Sequence, residues 1–198
     1  MSRDAAETRE KILNSTLDLL EAGDPHRVRM SDIAKAAGVS RQAVYLHFPS
    51  RAELLIAATY LLDDRKGVEE RLVASRSAGS GRNRLDAYVD CWAGYLPEIA
   101  GVARAFLAMV ETDAEAASAW NQRMEDVREG CEAVVKALKA DGDLAKGLTI
   151  KAATDLFWTL LSVRNWEQLT RDCGWSEKEY GKYIKAAARA VLVKGEGG

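Results

Sequence analysis

The sequence is poor in the residues that staple, coordinate or cleave. Its three cysteines, Cys91, Cys131 and Cys173, are odd in number, widely spaced and form no CxxC pair. That argues against a disulfide framework or a zinc site and leaves buried free thiols as the simplest reading. Two histidines, His26 and His47, are too few for a histidine-rich metal site. No Ser/His/Asp set, HExxH, phosphate loop or dinucleotide fingerprint occurs, so neither an enzyme nor a cofactor is expected. No run approaches the roughly 20 apolar residues of a membrane span. The opening MSRDAAETREKIL lacks the apolar core of a signal peptide, so a cytoplasmic protein is expected. In that setting the sequon Asn14-Ser15-Thr16 is accidental. Alternating strand patterns are missing as well, and the chain reads as all-α.

What is present is an ordinary globular balance, 47% hydrophobic and 29% charged over 198 residues, enough to bury a core. The net charge of −2 is unevenly spread. Between Arg27 and Arg51 the cations Arg27, Arg29, Lys35, Arg41 and Arg51 face Asp32 alone, on an otherwise acidic chain. A short basic segment suits a protein that meets phosphate at one end only.

Helix signals divide the chain into nine helices. The first is expected over residues 4–22, with Ile12, Thr16, Leu17 and Leu20 inward, and is closed by Gly23-Asp24-Pro25. A short helix over 31–37 ends at Gly38, where a left-handed residue is needed. Ser40 caps another over 41–48, stopped by Pro49. A capping box at Ser50-Arg51-Ala52-Glu53 opens one long helix that runs to the break at Gly79-Ser80-Gly81. The next helix is expected to end at Leu96, with Pro97 starting its successor. Thr112-Asp113-Ala114-Glu115 reads as a second capping box, opening a helix that ends near Asp141-Gly142-Asp143. One helix is expected over 149–172, closed by Gly174, and a last one over about 177–193 behind a third box at Ser176-Glu177-Lys178-Glu179. Gly195-Glu196-Gly197-Gly198 is expected to be a loose tail.

The segment from Ser31 to Tyr45 has the pattern of a helix-turn-helix. Ala34 is small where two helices cross closely, and Gly38 permits the tight turn. Ile33, Val39 and Val44 lock the pair onto the first helix. The second helix then stands proud, its start free to enter a major groove. A plain αα-hairpin would share the helix-Gly-helix pattern. The donors Arg41, Gln42, Tyr45, His47 and Arg51 on the outer face favour nucleic acid.

These residues resemble a known family. Thr8-Arg9-Glu10-Lys11-Ile12-Leu13, Asp32-Ile33-Ala34, Ala37-Gly38-Val39-Ser40, Tyr45-Leu46-His47-Phe48-Pro49-Ser50-Arg51 and Leu54 look like the signature of tetracycline-repressor (TetR) type regulators. Ser15-Thr16, in place of the usual small-apolar pair, is a minor departure. The resemblance implies a nine-helix, two-domain fold: a helix-turn-helix DNA-binding domain over 1–51 and a helical effector-binding and dimerisation domain over 52–198. It implies a homodimer on a palindromic DNA operator, released by a small-molecule effector. Carried over, Arg41, Gln42 and Ala43 face base edges, Tyr45 and His47 meet sugar-phosphate, and Arg51 and Ser31 bind phosphate. Packing of Tyr45 on Arg51 is the structural alternative.

Beyond residue 90 lie all five tryptophans. Trp92, Tyr95, Phe106, Trp120, Met124 and Phe157 are candidate effector contacts, since aromatics and an adaptable Met suit an apolar or planar ligand. They equally suit a core. In the last helix Ala186, Ala187 and Ala190 permit close helix approach, and with Trp158, Leu161 and Asn165 they are the candidate dimer interface. An alanine-rich exposed helix is the alternative. An activator on the same scaffold, or a redox switch at the cysteines, stays open as a variant of function.

Overall fold

The computed structural model describes residues 3–22 and 28–195. The expected helix stop at Gly23-Asp24-Pro25, Arg27 of the basic segment and most of the C-terminal tail lie outside the described residues. Among those described, the chain is all-α, with one isolated bridge between Leu144 and Val193. No described helix is long and apolar enough to cross a membrane.

Among the described residues nine helices follow in order: α1 Arg3–Glu21, α2 Met30–Ala36, α3 Arg41–His47, α4 Arg51–Arg65, α5 Val68–Arg76, α6 Gly81–Met109 and α7 Ala114–Ala140. Then come α8, in two pieces, Ile150–Leu160 and Val163–Glu167, and α9 Glu177–Leu192. The second piece of α8 continues as a π-helical turn, Gln168–Asp172. The expected number is met by compensation. The long helix expected from Arg51 breaks at Gly67, whose φ of 63° lies in the left-handed region glycine tolerates. Conversely, α6 runs unbroken through Pro97, where a helix start was expected. Buried Leu96 and Ala100 on either side hold it together, and the Arg71 guanidinium donates to the Gly94 carbonyl beside the proline. The helix expected over 149–172 is interrupted at Leu161-Ser162, where Ser162 Oγ accepts from the Asn165 N–H and starts the second piece.

Caps set the other boundaries. Ser40 Oγ accepts from the Ala43 N–H at 3.0 Å. Ser176 and Glu179 form a reciprocal capping box at α9. At α4 only half of the expected box forms: Ser50 Oγ accepts from the Glu53 N–H, but the Glu53 carboxylate takes the Ser50 hydroxyl. At α7 the cap is Asp113, not Thr112; its Oδ1 accepts from the N–H groups of Glu115 and Ala116.

The chain packs as two compact units. The first comprises Met1–Lys66 with Ile99–Met124, the second Gly67–Glu98 with Glu125–Gly198. In the first, Ile12, Leu17 and Leu20 of α1 meet Ile33, Val44, Leu54 and Leu55, and the same core takes in Val102, Phe106 and Met109. Each such aliphatic side chain contributes about 1.5–3 kcal/mol on burial. In the second, Tyr180, Ile184, Ala188 and Leu192 form the inward face of α9 at four-residue spacing, and Leu85, Val89 and Leu138 are fully buried. Gly81 sits so close to the α7 backbone that a Cβ there would meet Leu138 N at 2.5 Å.

Candidate functional site

The short helix α3 is anchored by one buried residue and exposes one whole side. Val44 is completely buried and Phe48, just past the helix end, nearly so. The Arg9 guanidinium lies over the Phe48 ring at 4.9 Å. Gly38, with φ 67°, turns the chain between α2 and α3, as its place in the sequence requires. Arg41, Gln42, Tyr45 and Leu46 are all exposed, and their spacing puts them on one side of α3. Ala43 and His47 flank that face and are half-buried.

Arg41 donates to the Tyr45 hydroxyl at 3.3 Å and stacks on its ring, so Tyr45 packs against Arg41 rather than Arg51. The pair presents a planar cation and an aromatic edge together, suited to a guanine edge or a phosphate. Leu46, 80% exposed, was passed over in the sequence because a leucine reads as core. On an otherwise polar face it offers an apolar contact of the kind that suits a thymine methyl. Ser31 is exposed in the first turn of α2.

Arg51 departs from the expected phosphate contact. It is buried, and its guanidinium donates to the Val28 carbonyl, the Asp113 carboxylate and the Met109 sulfur, the last at 3.4 Å. Partial burial opposes ionisation of Asp113. The Ala116 N–H, the Arg51 guanidinium and the Glu115 N–H outweigh it and hold the carboxyl below its usual range.

The six aromatic and Met candidates fall into two groups. In the first unit Phe106 packs on Trp120 with ring centres 5.9 Å apart, and Met124 is half-buried. In the second, Trp92 meets Tyr95 at 5.7 Å and Phe157 joins them through Tyr88, a residue the sequence reading did not name. Burial pushes the Tyr88 phenol well above its ordinary value. Gly130 makes room for it, since a Cβ there would collide with the Tyr88 hydroxyl. Trp92 Nε1, Thr154 Oγ1 and Trp166 Nε1 are buried without a hydrogen-bond partner among the described residues.

On α9, Tyr183, Ala186, Ala187, Ala190 and Val191 follow an i, i+3, i+4, i+7, i+8 pattern on the side away from the buried face. Tyr183 and Val191, 46% and 40% exposed, extend the expected alanine stripe, and Leu156 on α8 is exposed as well. Trp158 is half-buried. Asn165 donates from its amide to the Leu160 carbonyl at 2.9 Å. Leu161 departs from the expectation: it is 3% exposed and buried within its own unit, with no surface left for a partner. Burial pushes the Cys91 thiol to about 11 and the Cys131 thiol to about 12, which keeps both protonated and unreactive. Cys173 is exposed, against the expectation of a buried thiol.

Residues 12–58 match the family model described as bacterial regulatory proteins, tetR family. The chain is 34% identical over 92 residues to the HTH-type transcriptional regulator AlkX of Mycobacterium tuberculosis, a match covering 46% of this chain and 42% of that protein. It is 26% identical over 149 residues to the nucleoid occlusion factor SlmA of a Marinomonas species, covering 75% of this chain and 74% of that protein. Among solved structures, the transcriptional regulator FadR from Bacillus subtilis in complex with stearoyl-CoA superposes with a TM-score of 0.71 at 13% identity, over 90% of this chain and 96% of that one. Residues 12–58 thus carry, around the helix-turn-helix signature, the match to the tetR family of bacterial regulatory proteins, and the described helices share the fold of solved transcriptional regulators such as FadR almost end to end.

Proposed function

We propose that the protein is a ligand-responsive repressor that binds a palindromic DNA operator as a homodimer and leaves it when a small apolar or planar effector binds. The observation that carries the DNA reading is the exposed side of α3, where Arg41, Gln42 and Tyr45 stand together on a helix anchored by buried Val44. In this reading Arg41, Gln42 and Ala43 read bases, and Tyr45, His47 and Ser31 meet the backbone. Residues 1–51 have the DNA-reading role and 52–198 the effector and dimerisation roles. One such helix reads too few base pairs to be selective alone, so two-fold pairing, with helices one or more turns of about 34–36 Å apart, is the geometry that gives selectivity.

The outward apolar stripe of α9 supports dimerisation: it has the spacing of a packing face, yet Tyr183, Ala186, Ala190 and Val191 stay exposed and Ala187 half-buried, with Trp175 packed on Tyr183. The contacts proposed for it are Ala186, Ala187 and Ala190, joined by Tyr183 and Val191, with Trp158 and Asn165 beside them. The aromatic interior around Trp92, Tyr95 and Phe157 supports an apolar effector, with Phe106, Trp120 and Met124 a second candidate group in the other unit. FadR, of the same fold, holds stearoyl-CoA, whose acyl chain is apolar.

The test is selection of duplexes from a random pool, followed by binding and light scattering. The expected result is a palindromic motif bound by a dimer. Arg41→Ala or Gln42→Ala should cost about 1–3 kcal/mol on the selected duplex and relax its base preference. A protein that stays monomeric at micromolar concentration with and without that duplex, or that enriches no sequence, would sink the proposal.

A further inference from the structure

Arg51 is the one cation in the family-like signature whose side chain is turned wholly inward. Its side chain is 8% exposed, and the guanidinium joins three stretches of chain: Val28 before α2, Met109 at the end of α6 and Asp113 at the start of α7. Its own backbone N–H, in the first turn of α4, donates to Glu115 Oε1 at 3.0 Å. Asp113 in turn caps α7 with its other oxygen. The start of α4 and the start of α7 are thus tied by two independent carboxylates, and all these groups belong to the first unit.

Only Phe48, Pro49 and Ser50 separate this clamp from α3. Phe48 is buried, Pro49 has a restricted φ, and Ser50 caps α4, so the recognition helix has little freedom apart from the clamp. Donors engaged in this way cannot reach a phosphate unless the buried ion pair first breaks, and that leaves Asp113 without its cation.

We propose that Arg51 and Asp113 are positioning residues for operator binding: they fix the recognition helix against the α6–α7 turn and set DNA affinity without touching DNA. This rests on the DNA-binding reading above.

The experiment uses the full-length protein and a duplex selected by the wild type, with affinity measured over a series of salt concentrations. The variants are Arg51→Met, Arg51→Lys and Asp113→Asn. Asparagine still caps a helix, so the last keeps α7 intact while removing the charge. Melting curves confirm that binding is measured on folded protein. The expected result is a loss of about tenfold in affinity for Asp113→Asn and Arg51→Met, with no further loss when the two are combined. The slope of log affinity against log salt stays that of the wild type, and Arg51→Lys does not restore affinity, because one ammonium cannot replace a three-way fork.

A direct phosphate contact gives the opposite pattern. Arg51→Met then lowers the salt slope by about one, Arg51→Lys binds nearly as the wild type, and Asp113→Asn binds as well as or better than wild type because a nearby anion is gone. That pattern overturns the proposal. If Arg51→Met does not fold, Asp113→Asn and Arg51→Lys decide alone, since their expected signs differ between the two accounts. If the wild type enriches no duplex at all, the DNA-binding reading itself has failed, a result separate from any failure of the variants.

Discussion

The two packing units treat buried polar groups in opposite ways. In the first, the buried polar side chains among the described residues are Thr16, Arg51 and Thr59, and each is bonded: Thr16 to the Ile12 carbonyl, Thr59 to the Ile56 carbonyl, Arg51 to its three acceptors. In the second, Ser75 is satisfied by the Arg84 carbonyl, but Thr154, Trp92, Trp166 and the Arg84 Nε are buried with a donor unused. An unpaired buried donor forfeits about 1–3 kcal/mol relative to a bonded one. The first interior is therefore built to hold one arrangement, as the proposed DNA-reading role needs. The second retains unused hydrogen-bonding capacity, two of its groups, Trp92 and Thr154, lying at or one turn from the Tyr88–Trp92–Phe157 aromatic cluster.

Gly81→Ala, in the second unit, has the largest expected effect and tests whether that interior is closely packed despite its unpaired donors. The added Cβ meets backbone, Leu138 Cα at 2.7 Å and Ala137 C at 2.8 Å, which cannot rotate away as a side chain can. The Gly81 N–H also donates to Asp141, so the helix start is pinned there. The expected loss is about 3 kcal/mol, at the upper end of overpacking costs, read by denaturant unfolding. A variant within about 0.5 kcal/mol of wild type would mean that α6 and α7 are not so closely apposed.

What was legible in the sequence was what is decided locally. Gly38, the Ser40 cap and the Ser176 box each depend on residues three or four positions apart, and each appears where expected. The burial of Arg51 was not legible because its partners Asp113 and Glu115 lie 62 and 64 residues away, beyond any local pattern. Pro97 was taken as a helix start because propensity favours that, yet packing on both sides carries α6 through it. On α8, periodicity marks Leu156 and Leu161 alike as apolar. Only the tertiary fold shows that Leu156 faces outward and Leu161 inward. The aromatic residues were legible as a class, but their division between two clusters was not.

A smaller effect probes the first unit by pH. The folded-state value of Asp113 lies below that of the unfolded chain, so its ionisation adds stability above the ordinary carboxylate value near 4. That contribution fades as pH falls below about 4 and through the lowered folded value. Asp113→Asn cannot titrate. The stability gap between wild type and Asp113→Asn is expected to be about 1 kcal/mol at neutral pH and to close toward pH 3. Melting temperatures of both proteins across that range check it; a gap that widens on acidification would assign the wrong sign to Asp113.

The smallest effect carries the most information about the second unit, because its sign is the opposite of most core substitutions. Thr154 is 1% exposed and its hydroxyl has no partner among the described residues. Valine has nearly the same shape and no polar group to desolvate. Thr154→Val is therefore expected to be neutral or to stabilise the free protein by up to about 1 kcal/mol. Were the hydroxyl bonded, the same change would cost about 1 kcal/mol instead. Thr154 lies one turn from Phe157, which packs on Tyr88, so the variant also tests what the spare donor is for. If an effector uses it, Thr154→Val should weaken that effector while leaving operator affinity in its absence unchanged. Screened compounds titrated against both proteins, with tryptophan fluorescence as the readout, decide the matter. A stabilised variant that binds every hit as tightly as the wild type would show that the unpaired hydroxyl plays no part in recognition.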